Sequence, residues 1–122
     1  MTARTPEQNT FARRIFDGIA GAYESPARVF SLFQYGRWRR AMLSRLQLPP
    51  GASVLDVCTG TGLVAIEVAG SRGCKVVGLD LSGGMIEQAR RNIEAHDLSH
   101  SIQLVKGRAE DLPFPDDSFD AV

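Results

Sequence analysis

Apolar residues recur along the first part of the chain at helical intervals. Phe11, Ile15, Ile19 and Tyr23 follow at four-residue steps, with Phe16 on the same side, as in an amphipathic helix. Pro26 suits the first turn of a second helix carrying Val29, Phe30 and Phe33. Gly36 is expected to break that helix, so that Trp38, Met42 and Leu46 mark one face of a third. Trp38 and the phenylalanines read as core. The texture changes at Pro49-Pro50-Gly51, which places a helical extension at residues 1–48 and a second unit at 49–122. There, Val54-Leu55-Asp56-Val57-Cys58 is a short strand-like run that ends in the glycine-rich Thr59-Gly60-Thr61-Gly62. Leu63 to Ala69 reads as a helix and Lys75 to Asp80 as a second strand. Ser82 can cap a helix in which Ile86, Ala89 and Ile93 share a face. Ile102, Leu104 and Val105 suggest a third strand. After a polar, proline-marked loop, Phe119-Asp120-Ala121-Val122 reads as the opening of a fourth. Strands alternating with helices predict parallel βαβ units and an α/β fold.

Composition narrows the class without redirecting it. The 122 residues are 43% hydrophobic and 23% charged, which excludes a disordered tail, a collagen-like fibre and a disulfide scaffold. No apolar run approaches the ~20 residues of a membrane-spanning helix. Met1 to Asn9 is polar and does not read as a signal peptide. Cys58 and Cys74 lie in apolar runs and read as small buried thiols, which suits a reduced, cytoplasmic setting. Net charge is zero but unevenly spread: residues 1–50 carry eight Arg against three acids, and residues 51–122 six bases against eleven acids. A basic first third suits nucleic acid or an anionic membrane surface. Here, however, the arginines alternate with apolar residues at helical spacing, as on a solvated helix face, so no nucleic-acid partner is expected.

The candidate chemistry lies at the strand ends. Gly60 and Gly62 stand between a strand and a helix, where absent side chains let a ligand reach the backbone and the helix N-terminus. Asp80 ends the next strand, and a carboxylate there can accept hydrogen bonds from two ribose hydroxyls. Together these point to an adenosine-containing ligand. Gly60-x-Gly62-x-x-Ala65 also fits the dinucleotide fingerprint. Charge arbitrates between the two. A pyrophosphate beside Asp56 would place like charges in a partly desolvated cleft. S-adenosyl-L-methionine instead presents an ammonium and a sulfonium, with one carboxylate for the backbone N–H groups to hold.

Val54-Leu55-Asp56-Val57-Cys58-Thr59-Gly60-Thr61-Gly62 resembles motif I of class I S-adenosylmethionine-dependent methyltransferases. Val76-Val77-Gly78-Leu79-Asp80-Leu81-Ser82, followed by Met85, is similar to their second-strand motif. Gly107-Arg108-Ala109-Glu110-Asp111-Leu112-Pro113-Phe114-Pro115 and Ser118-Phe119-Asp120 look like the loop before their fourth strand and that strand's start. Within the class the chain most resembles the ubiquinone/menaquinone biosynthesis methyltransferases. Phe16-Asp17-x-Ile19-Ala20-x-x-Tyr23 and Gly36-Arg37-Trp38-Arg39 are similar to their N-terminal helices. The resemblance implies a Rossmann-like parallel sheet with an N-terminal helical extension. It also implies methyl transfer to a small, quinone-like acceptor. Asp56 would face the methionine end of the cofactor, inside a loop of Gly60, Thr61 and Gly62. Asp80 would take the ribose, with Leu81 beside it. Arg108, Ala109 and Glu110 would meet the adenine edge. Cys58 stands where the general motif has its first glycine. Arg108 stands where a short polar acceptor is common, and arginine cannot accept a hydrogen bond.

The general base and the atom methylated are not named by these residues. His96 and His100 have a four-residue spacing that can hold zinc, yet they flank a predicted turn and lack a third ligand nearby, so no metal is expected. A nicotinamide-dependent oxidoreductase fragment and a non-catalytic cofactor-binding module stay as alternatives. The resemblance implies a sheet ordered 3-2-1-4-5-7-6, so Val122 falls inside a central strand. The expectation is therefore a truncated methyltransferase half that self-associates, through an open sheet edge or by swapping N-terminal helices.

Overall fold

The computed structural model describes residues 29–122, with side chains from residue 36 onward. The helix expected around Phe11–Tyr23, the role of Pro26 and the side chains of Val29, Phe30 and Phe33 lie outside the described residues. Helix α1 spans Val29–Arg45 without interruption. Gly36 does not break it, because a lone interior glycine costs only about 1 kcal/mol relative to alanine. The buried stripe of α1 also differs from the expected one. Leu43 is buried, Leu46 packs on the core just beyond the helix, and Trp38 and Met42 are 77% and 47% exposed. Both stripes fit a helical period, so periodicity could not choose between them. Polar ties decide: Arg39 pairs with Glu67, and the Arg72 guanidinium donates to the Leu43 carbonyl at 2.9 Å.

Strand β1 is Ser53–Val57, helix α2 Leu63–Arg72, strand β2 Lys75–Asp80, helix α3 Gly83–Ala95 and strand β3 Ile102–Lys106. The three strands are parallel in the order β1-β2-β3, with Val54 beside Val76 and Val76 beside Ile102. On the free side of β1, Ala121 forms a parallel bridge with Val54, and Leu55 N–H donates to the Ala121 carbonyl at 3.0 Å. Phe119–Val122 thus begins to extend the sheet as the sequence suggested, on the side of β1 away from β2.

The alternation of each strand sorts its side chains. Val54, Val76 and Ile102 join Ala65, Ile66, Val68, Ala69, Ala89 and Ile93 of α2 and α3 in one buried cluster. Such burial is worth about 1.5–3 kcal/mol per large aliphatic side chain. Helix α3 forms where Ser82 accepts a hydrogen bond from Met85 N–H at 3.2 Å, as its capping position predicted. On the opposite face Leu55 and Leu79 are buried. The loop after β3 crosses near them: Gly107 lies against Leu79, and Phe114 and Phe119 meet edge to face at 5.2 Å.

Gly62 is where the two helices come closest to the loop. Its φ is +85°, and a Cβ there would sit 3.3 Å from the Ala89 Cβ. Gly60 also has a positive φ, +59°, but no described residue comes within 4 Å of where its Cβ would be. Gly62→Ala is therefore expected to lower unfolding free energy by about 1–3 kcal/mol, and Gly60→Ala by about 1 kcal/mol. Urea denaturation of both variants checks the order. Equal losses would show that α2 and α3 do not close on Gly62.

Candidate functional site

In parallel α/β sheets ligands bind beyond the C-terminal ends of the strands. Here β1 ends at Val57 and β2 at Asp80, so their exit loops lie side by side. Cys58 has a φ of +61°, a left-handed conformation that glycine adopts most easily. That explains a glycine preference at this position, and it turns the thiol outward. Cys58 is exposed and only Cys74 is buried, which corrects the expectation of two interior thiols. The loop then passes through Gly60 and Gly62, both left-handed, into the first turn of α2.

Asp80 organises this loop. Its Oδ2 accepts from Gly60 N–H at 2.8 Å, and its Oδ1 accepts from Ser82 N–H at 2.9 Å. One carboxylate therefore ties the glycine loop to the start of α3. A carboxylate offers about four acceptor sites, so two remain for a ligand. Asp56 lies one strand over and accepts from the Thr59 hydroxyl at 2.8 Å. Burial holds its carboxyl above the usual range, opposed by that hydrogen bond and assisted by the negative charge of Asp80. The Cys58 thiol, although exposed at the surface, is also pushed up, first by partial desolvation and then by Asp80, Asp56 and Glu110. Three carboxylates thus act on one small region, and its field is negative.

Other residues named from the sequence are close in chain but different in character. Gly60, Thr61 and Gly62 form the loop, with Thr61 buried beneath it. Leu81 is half-buried between Asp80 and the α3 cap. Arg108, Ala109 and Glu110 lie exposed in the loop after β3, where Arg108 and Glu110 pair at 3.7 Å and Asp111 N–H returns to the Arg108 carbonyl. His96 caps α3, its Nδ1 2.8 Å from the Asn92 carbonyl.

Two supporting residues, Asn92 and Thr59, were not singled out from the sequence, and Ser82 does more than the capping expected of it. The Asn92 amide donates to the Thr61 carbonyl at 3.0 Å, fastening the glycine loop to α3. Its signal was a polar residue beside the Ile86–Ala89–Ile93 face. Thr59 fills the space over Gly78, where a Cβ would come within 2.9 Å of the Thr59 hydroxyl oxygen. A glycine inside a strand is itself a sign of such close approach. Ser82 donates its N–H to Asp80 while its side chain caps α3.

Residues 3–122 match the model of the ubiE/COQ5 methyltransferase family. A demethylmenaquinone methyltransferase from Symbiobacterium thermophilum is 40% identical over 120 residues, covering 95% of this chain and 47% of that protein. The ubiquinone/menaquinone biosynthesis C-methyltransferase UbiE of Geotalea daltonii is 35% identical over 118 residues, 95% of this chain and 50% of that protein. The chain spans about half the length of these relatives. Among solved structures, a SAM-dependent methyltransferase from Thiobacillus denitrificans in complex with S-adenosyl-L-homocysteine matches with a TM-score of 0.66. It is 27% identical, over 88% of this chain and 42% of that one. The [4+2]-cyclase SpnF also matches, with a TM-score of 0.66 and 31% identity over 70% of this chain and 32% of that one. The architecture thus hosts more than one chemistry.

The charge on Asp56 gives a stability test. Its folded-state carboxyl titrates above its unfolded value, so ionisation destabilises the fold as pH rises through the folded value and is without effect well below both. Asp56→Asn keeps an acceptor for Thr59 and removes the charge. The ligand-free variant is expected to gain in melting temperature relative to the parent on going from about pH 4 to about pH 7. A difference that stays constant or shrinks over that range would show that Asp56 is not held in a desolvated, negative setting.

Proposed function

The chain belongs to the ubiE/COQ5 methyltransferase family, and from that premise we propose that it holds S-adenosyl-L-methionine for methyl transfer to a small, quinone-like acceptor. One observation carries the reading: two carboxylates, Asp56 and Asp80, stand at neighbouring strand ends around an open glycine loop. Like charges in a half-buried cleft favour a cation between them. When bound, the cofactor supplies a methyl group made electrophilic by its sulfonium.

The residues present fit that cofactor. Asp56 would hold the ammonium, which offsets the burial of its carboxylate. Among the described residues nothing lies within 4 Å of where a Gly60 Cβ would be, which suits a ligand lying against the loop. Asp80 has two acceptor sites to spare for ribose hydroxyls, and its bonds to Gly60 and Ser82 fix their direction. Arg108, Ala109 and Glu110 would close the adenine side, with Glu110 or the backbone accepting where Arg108 cannot. The protein's contribution is alignment, since in-line transfer depends on a well-placed acceptor. A quinone-like acceptor is supported by the names of the two relatives. Self-association is supported by β3, which among the described residues pairs only with β2. A nicotinamide dinucleotide fits less well, because its pyrophosphate would meet the negative field of Asp56.

Calorimetric titration tests the cofactor. S-adenosyl-L-methionine or S-adenosyl-L-homocysteine should bind more tightly than NAD. Asp80→Ala should weaken that binding at least tenfold, since each charge-assisted hydrogen bond lost is worth ~1.5–3 kcal/mol. Circular dichroism checks that the variant stays folded. Tighter binding of NAD, or full affinity in a folded Asp80→Ala protein, would overturn the assignment.

A further inference from the structure

Helix α1 carries four arginines and no acid. Arg39 faces inward and pairs with Glu67. Arg37, Arg40 and Arg45 are exposed, and so are Trp38 and Met42. At 100° per residue, Arg37, Arg45, Trp38 and Met42 fall on one outward half of the helix, opposite Leu43. Among the described residues nothing covers Trp38, which is 77% exposed. Its indole is suited to the boundary between headgroups and acyl chains, with arginines beside it to meet anionic headgroups.

We propose that this face of α1 docks on an anionic lipid surface, with Trp38 and Met42 entering the headgroup region and Arg37 and Arg45 pairing with lipid phosphates. Charge complementarity selects this occupant. Residues 1–50 carry a net charge of +5 and residues 51–122 carry −5, so an anionic surface attracts the chain by α1 and repels the acidic site region. The two polar ties order α1 and α2 in the same direction, Arg39 with Glu67 and Leu43 with Arg72. The docked helix would therefore lie alongside the one that begins at the glycine loop. The inference stands on α1 alone and does not depend on the cofactor assignment.

The chain contains a single tryptophan, so its fluorescence reports on this face directly. Vesicles of phosphatidylcholine mixed with phosphatidylglycerol should shift Trp38 emission to the blue and shield it from acrylamide. Vesicles of phosphatidylcholine alone should do neither. Because each arginine near an anionic surface contributes about fivefold in partitioning, Arg37→Glu with Arg45→Glu should lower vesicle co-sedimentation by more than about tenfold. Trp38→Ala should reduce co-sedimentation while leaving far-ultraviolet circular dichroism unchanged. Emission unmoved by anionic vesicles would overturn the proposal. A blue shift that grows with protein concentration without lipid would assign the face to a second copy of the chain instead. Salt-sensitive binding to duplex DNA without binding to the anionic vesicles would assign it to nucleic acid.

Discussion

The Asp80 carboxylate is the contact on which the site depends. It accepts one backbone N–H from the glycine loop after β1 and one from the residue that caps α3. It joins two exit loops that belong to different βαβ turns, a tie reinforced by the Asn92 amide on the Thr61 carbonyl. Hydrogen bonds to a charged acceptor are about twice as strong as neutral ones, and these two lie at a partly buried strand end. The same carboxylate repels Asp56, whose own burial already disfavours its charge. The fold therefore keeps two acids together that would be more stable apart. Such tension is expected where a protein is arranged for a ligand, and a cation is the ligand that relieves it.

Much of this was legible in the sequence because the relevant signals are local. The Lys75–Asp80 strand and the Ser82 cap follow from short-range rules, and the structure has both. The role of Asp80 was read only in part. Its position at a strand end was visible, whereas its bonds to Gly60 and Ser82 depend on parallel pairing in a register that sets Val57 beside Leu79. Thr59 and Asn92 were missed for a similar reason, since each acts on a residue brought near by another element.

Helix α1 was the least legible element. Trp38 and Met42 looked like a packing face because hydrophobicity alone ranks them above arginine. In the structure the stripe with Leu43 and the half-buried Arg39 is turned inward, and an arginine pair with Glu67 helps to fix the rotation. Long charged side chains can line a partly buried face with their aliphatic stems, so a binary pattern misassigns such a helix. Cys58 shows the converse failure. Its apolar neighbours suggested burial, but the strand ends one residue earlier and the backbone turns left-handed, carrying the thiol outward.

The proposed cofactor, with its ammonium and ribose, would sit over the C-terminal ends of β1 and β2. Amide resonances of the nitrogen-15-labelled chain, followed during titration with S-adenosyl-L-homocysteine, measure this most directly. Gly60, Thr61, Gly62, Leu81 and Ser82 are expected to shift first and furthest, because their N–H groups line the loops that Asp80 holds together. The opposite end of the sheet is expected to stay still, where Ser53, Lys75, His100 and Gln103 line a separate cavity. Shifts confined to that far end, or no shifts at Gly60 and Ser82, would contradict this placement.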